Sequence, residues 1–114
     1  MAAPDKKTAL LTHRGRTSGK EFITQVWYVD VGGQTWIGSR DGSRNWVRNV
    51  VAAGRLQLDT GAGPCDFLAV SVEDEQGRQQ FQTAILRKYP IAARILALTV
   101  RAKNVTVFRL DSCA

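Results

Sequence analysis

Residues 14–20 read Arg-Gly-Arg-Thr-Ser-Gly-Lys, setting three cations, two hydroxyls and two glycines in one short turn. Backbone N–H groups freed by glycine, together with the hydroxyls of Thr17 and Ser18 and the heads of Arg16 and Lys20, can converge on an anionic group. Taken alone, the same heptad fits a solvated hairpin turn equally well. A second stretch, Ser39-Arg40-Asp41-Gly42-Ser43-Arg44-Asn45-Trp46, leaves a strand and enters a helix. The free N–H groups and positive dipole end of that helix then lie beside arginines, a common recipe for holding phosphate. Here too a plainer reading stands, with Ser43 as a simple cap and Arg44 and Arg48 on a wetted outer face. Two such elements in one small chain point to an anionic ligand.

Other chemistries find no support. Ser18, Ser39 and Ser43 lack a histidine base beside them, and the single histidine, His13, falls on an expected strand. One histidine with no acidic cluster assembles no metal site, so none is expected. Asp74 and Glu75 are adjacent at a helix start, where they complement the dipole rather than form a catalytic carboxylate pair. Cys65 and Cys113 show no CxxC spacing and read as reduced, non-catalytic thiols. A reactive group, if the chain is an enzyme, is therefore supplied by a cofactor.

The elements that must position these residues follow from periodicity. Residues 8–13 form a short β-prone run, and Phe22 to Val31 alternates as one long strand. Gly32-Gly33 signals a hairpin, with Gln34 to Ser39 as its return. The period then changes: Ser43 caps a helix running to Ala53 with Trp46, Val47, Val50 and Val51 as its apolar stripe, and Gly54 stops it. Arg55 to Thr60 and Cys65 to Glu73 read as strands around a Gly/Pro turn. Gln76 to Leu98 is helical, broken at Tyr89-Pro90, and Asn104 to Leu110 closes as a strand. The order β-β-β-α-β-β-α-β predicts an α+β, mainly β fold, a small closed or half-closed β-barrel of about six mostly antiparallel strands with two helices packed outside. Trp27, Tyr28, Trp36, Trp46 and Tyr89 lie on or beside the anion-seeking elements; they read mainly as core, with room for a ring system among them.

The chain has 114 residues, 44% hydrophobic and 23% charged, which suits one globular domain over residues 1–114 with residues 1–7 as a flexible tail. No apolar run approaches the roughly 18 residues of a membrane span, and the start carries no signal-like apolar stretch, so a cytoplasmic location is expected. Ile91, Ile95, Leu96 and Leu98 with Arg94 and Arg101 form a basic amphipathic stretch that allows peripheral membrane contact, although a core role explains it as well. The net charge of +6 is uneven: residues 1–55 hold nine Lys or Arg against four acids. These cations gather at a turn and a helix start rather than along one sheet face, which argues against a nucleic-acid module.

With these residues assembled, the chain resembles the deazaflavin (coenzyme F420)-dependent nitroreductase and quinone reductase family, whose split β-barrel is related to that of flavin-mononucleotide oxidoreductases. The matching stretches are Leu10-Leu11-Thr12, Gly15-Arg16-Thr17-Ser18-Gly19-Lys20, Val26-Trp27-Tyr28-Val29, Gly38-Ser39-Arg40, Trp46-Val47-Arg48-Asn49 and Lys88-Tyr89-Pro90. The resemblance implies hydride transfer from reduced F420 to a quinone or nitroaromatic-like small molecule, by a monomer or homodimer. It implies that Arg16, Ser18, Gly19 and Lys20 hold the cofactor's phosphate and acidic tail. It implies also that Ser39 and Arg40 meet the phosphate, that Trp46 and Asn49 lie by the cofactor, and that Tyr89 faces the acceptor as the catalytic candidate. Thr17 stands where the family has Lys, Phe22 where it has Arg, and Gln25 where it has Pro. Relatives on the same fold that bind FMN, or a lipid-like or haem-like anion without redox chemistry, are the alternatives.

Overall fold

The computed structural model describes residues 8–39, 44–91 and 105–112. Seven strands and two helices run in the order β1 (Ala9–Arg14), β2 (Glu21–Val26), β3 (Tyr28–Val31), β4 (Gln34–Ser39), α1 (Asn45–Ala53), β5 (Arg55–Asp59), β6 (Pro64–Ser71), α2 (Glu75–Lys88) and β7 (Thr106–Ser112). All strands join one antiparallel sheet in the order β2-β1-β5-β6-β7-β4-β3. The sheet curls into a half-barrel with the two helices against it, the mainly β, α+β architecture expected from the sequence.

The expected long strand from Phe22 to Val31 is two strands. It breaks at Trp27: β2 pairs with β1, whereas β3 pairs with β4. These are the two edges of the sheet, and a single residue joins them. A flat sheet seven strands wide cannot bring its edges that close, since neighbouring strands lie about 4.8 Å apart. The connection therefore requires the curl. Alternation of side chains runs through Trp27 without interruption, so the local pattern carries no sign of the crossing.

Burial alternates as the pleat demands. On β1, Ala9, Leu11 and His13 point inward, and β5 contributes Leu56 and Leu58. With Val26, Tyr28, Ile37, Phe108 and Leu110 they fill the barrel interior, joined by Trp46, Val47 and Val50 of α1. A second core lies on the outer side of β3, β4 and β7, where α2 covers Val29, Trp36 and Val107 with Phe81, Ala84, Ile85 and Tyr89. β7 is thus buried on both faces, consistent with its Val-Phe-x-Leu run. Gly38 lets α2 approach closely: a Cβ there would sit 2.7 Å from Phe81 Cζ and 3.0 Å from the Thr106 carbonyl.

α2 carries the end signals its sequence announces, and α1 carries its C-terminal one. The Asp74 carboxylate accepts from Gly77 N–H at 2.9 Å, with Glu75 in the first turn and Arg87 and Lys88 in the last. α2 starts one residue before the expected Gln76 and stops ahead of Pro90. Gly54 ends α1 at φ +71°, its N–H donating to the Val50 carbonyl at 2.7 Å. Arg44 takes the N-cap position of α1 with no side-chain cap bond; the expected cap Ser43 lies outside the described residues, as do Arg40 and the amphipathic positions beyond Ile91. The inward face of α1 differs from the expected apolar stripe. Asn49 takes its fourth buried position at 5% exposure, and Val51 turns outward at 61%.

Candidate functional site

The basic turn between β1 and β2 is closed from within. Gly15 N–H donates to the Lys20 carbonyl at 2.9 Å, Gly19 N–H donates to the Gly15 carbonyl at 3.1 Å, and Ser18 Oγ accepts from Lys20 N–H at 3.2 Å. Gly19 sits at φ +70°, a conformation glycine adopts readily. These bonds leave the side chains of Arg16, Thr17 and Lys20 at the surface.

Arg16 ties the turn to α1. Its backbone N–H donates to Asn49 Oδ1 at 3.2 Å, its Nη1 donates to the same oxygen at 2.8 Å, and Nη1 also reaches the Asn45 carbonyl at 3.5 Å. Two donors on one oxygen orient the Asn49 amide, so Nδ2 is directed at His13 Nδ1, 3.0 Å away. An amide NH2 only donates, so Nδ1 is the acceptor and the imidazole proton resides on Nε2. Nε2–H then donates to Thr24 Oγ1 at 3.2 Å. The ring stacks on Phe22 at 5.7 Å between centroids. Burial holds the imidazole pKa below its ordinary 6.5, in keeping with a neutral ring.

Arg16 lines a concavity of about 410 Å³ with Val47, Arg48, Val51, Ala52 and Thr106. Ser39, at the end of β4, is the register partner of Thr106, which brings the first two sequence-derived regions to the same end of the barrel. Arg16, Lys20, Arg44 and Arg48 form no ion pair with any described carboxylate; the pairs among described residues are Arg14–Glu21 at 3.4 Å and Arg109–Asp111 at 3.0 Å. Cations without an ion-pair partner among the described residues, two of them lining the concavity, can take phosphate or carboxylate groups. The site fits a cofactor carrying such groups.

Two of the expected site residues are directed elsewhere. Trp46 is buried in the barrel core with its ring 6.2 Å from that of Phe108. Tyr89 is 5% exposed in the second core, stacked on Trp27 at 4.3 Å, its hydroxyl donating to the Tyr28 carbonyl at 3.1 Å and accepting from Tyr28 N–H at 3.3 Å. Burial pushes its pKa up to about 12. Lys88 Nζ lies 3.2 Å from the Tyr28 ring centroid and donates to the Tyr28 carbonyl at 2.8 Å, so this cluster fastens the seam between β2 and β3. Sequence reasoning missed His13 and Thr24 as parts of the network. The available signal was the alternation on β1: a polar residue two positions after Leu11 faces inward and must find a partner.

A family model described as F420H(2)-dependent quinone reductase matches residues 2–109. The chain belongs to that family. It is accordingly an F420-dependent reductase, an oxidoreductase whose cofactor is coenzyme F420. Its fold is shared with solved structures of low identity. An F420-H2 dependent reductase, FDR-A, is 23% identical with a TM-score of 0.70, the match covering 93% of this chain and 95% of that one. A protein described as a domain-swapped dimer is 24% identical with a TM-score of 0.72, covering 94% and 81%. HutZ, a heme storage protein from Vibrio cholerae, is 15% identical with a TM-score of 0.72, covering 95% and 82%. No curated protein matches the chain. No helix among the described residues is long and apolar enough to cross a membrane.

Proposed function

We propose that this reductase passes reducing equivalents from reduced F420 to a quinone or nitroaromatic-like acceptor, and that its basic turn and the entry to α1 together hold the cofactor's anionic parts. The bound deazaflavin supplies the hydride. Arg16, Lys20, Ser18 and Gly19 would hold the phosphate and acidic tail, with Ser39 and Arg40 as further phosphate contacts. Asn49 serves by aiming Arg16, and Trp46 by anchoring α1 in the core beneath the site. Tyr89 belongs to the acceptor side of this reading through Trp27, whose half-buried ring it backs. Its hydroxyl could donate a proton there only by leaving the Tyr28 carbonyl. A homodimer suits the reading, supported by the relative described as domain-swapped and by Leu10, Ile23 and Leu68, exposed on strands β1, β2 and β6.

The observation that carries the proposal is Arg16, held at 2.8 Å by a buried asparagine on the wall of a concavity, among cations that no described carboxylate neutralises. Titration with F420, followed by tryptophan fluorescence, is expected to saturate with a dissociation constant on the order of 10 μM, within the usual range for enzyme ligands. Lys20→Glu places repulsion where attraction is proposed and is expected to weaken binding by roughly tenfold or more, about 1.4 kcal/mol. Wild-type affinity in Lys20→Glu would remove the turn from the site, and no saturation by the wild type would sink the proposal.

A further inference from the structure

His13 is a buried, uncharged imidazole 36 residues from the asparagine it contacts, and the donor set described above does not use it directly. Its surroundings define what it can do. Nδ1 accepts from Asn49 Nδ2 at 3.0 Å and Nε2–H donates to Thr24 Oγ1 at 3.2 Å. Asn49, 5% exposed, spends its oxygen wholly on Arg16, through the backbone N–H and Nη1. An asparagine amide can rotate half a turn and exchange its oxygen and nitrogen, and with Arg16 as its sole anchor only the Arg16 end would resist that exchange. His13 supplies the other end. An acceptor facing Nδ2 makes the orientation that presents oxygen to Arg16 the one in which every buried group is satisfied.

We infer that His13 is a positioning residue for the anion site, fixing the Asn49 amide so that the basic turn is latched to α1 and Arg16 is aimed at the concavity. The inference rests on the proposed role of Arg16, although the latch itself exists without a ligand. A charged ring would defeat it, because Nδ1–H would confront the NH2 of Asn49. The charged groups around the ring come from several elements. Arg14 and Glu21, paired at 3.4 Å, lie on β1 and β2, and Arg55 and Asp66 on β5 and β6 line the same cleft as His13. Arg16 stands beyond Asn49. The cleft's charges are balanced in sign, and Arg16 opposes a positive ring. The folded state thus favours the neutral ring, so the latch is complete above the ordinary pKa of 6.5 and is lost as pH falls through the lower folded value.

Two substitutions separate the acceptor from the ring. His13→Phe keeps the flat shape and removes both nitrogens; His13→Gln offers a carbonyl oxygen that can accept from Asn49. The first readout needs no cofactor: hydrogen-exchange protection of the Arg16 backbone N–H, a donor in a surface turn whose acceptor is Asn49 Oδ1. Protection is expected to fall by roughly fivefold in His13→Phe and to be retained within about twofold in His13→Gln, since one lost hydrogen bond is worth about 1 kcal/mol. F420 affinity is expected to follow the same order. In the wild type it should weaken as pH falls through the folded imidazole's pKa, which burial holds below 6.5, and in His13→Gln that dependence should vanish. Unchanged Arg16 protection in His13→Phe would overturn the inference, as would equal loss in both variants, which would assign the ring to packing alone. Should the wild type bind no F420, the proposed function fails, while Arg16 protection still decides the latch.

Discussion

At the scale of single residues, the second core offers a proton whose energetics can be measured. The Tyr89 phenol is raised to about 12 by burial, above the ordinary 10.0 that it regains on unfolding. A folded state that holds the proton more tightly than the unfolded state is stabilised in full below pH 10. That contribution is lost as pH climbs from 10 through about 12. Denaturant midpoints measured across this window should fall in the wild type and fall less in Tyr89→Phe, which has no proton to lose. At neutral pH Tyr89→Phe should itself cost about 1 kcal/mol, for the lost bond to the Tyr28 carbonyl. Reading residues from sequence worked where the cause was local: Gly54 stops α1, and Asp74 and Glu75 stand at the start of α2. It failed for His13, whose partner lies on an element that only the folded sheet brings near.

At the scale of elements, the docking of α2 depends on an absent side chain. Gly38→Ala would push a methyl into the Phe81 ring and against the Thr106 carbonyl, a backbone atom that cannot swing aside. Overpacking of this kind destabilises by about 1–3 kcal/mol. Phe81→Ala leaves a gap of its own, yet it removes the clash with the ring, so the double variant should be less destabilised than the sum of the two single ones. Thermal or denaturant unfolding of the four proteins checks this. α1 shows the opposite lesson about legibility. Its length and end were readable from Trp46, Val47, Val50 and Gly54, but the stripe misassigned one position. Asn49 rather than Val51 faces inward, because Arg16 and His13 together satisfy the amide, and a hydrophobicity pattern does not register a buried polar group that finds partners.

At the scale of the whole molecule, the class of fold and its barrel form were legible because hairpin turns and alternation are local, whereas the crossing that joins the sheet's two edges was not. The chain passes from one edge of the sheet to the other within Trp27, and alternation continues straight through. The charge was legible in sign and in rough place. The folded chain adds that Arg16, Lys20, Arg44 and Arg48 form no ion pair with the described carboxylates, so an anionic ligand has cations to neutralise.

The position of β7 has a consequence for how the protein is made. It follows every other described strand in the sequence, yet it lies between β6 and β4. Until it arrives, β2-β1-β5-β6 and β4-β3 are separate pieces, each with an unpaired edge that invites the wrong neighbour. The stitch that makes one sheet of two is therefore the last of the seven described strands to be synthesised. Nascent chains arrested before residue 106 leaves the ribosome should remain open to protease, and chains arrested after residue 112 is free should become resistant. Protection that develops steadily with length, rather than in that final step, would show that the pieces hold together without their last strand.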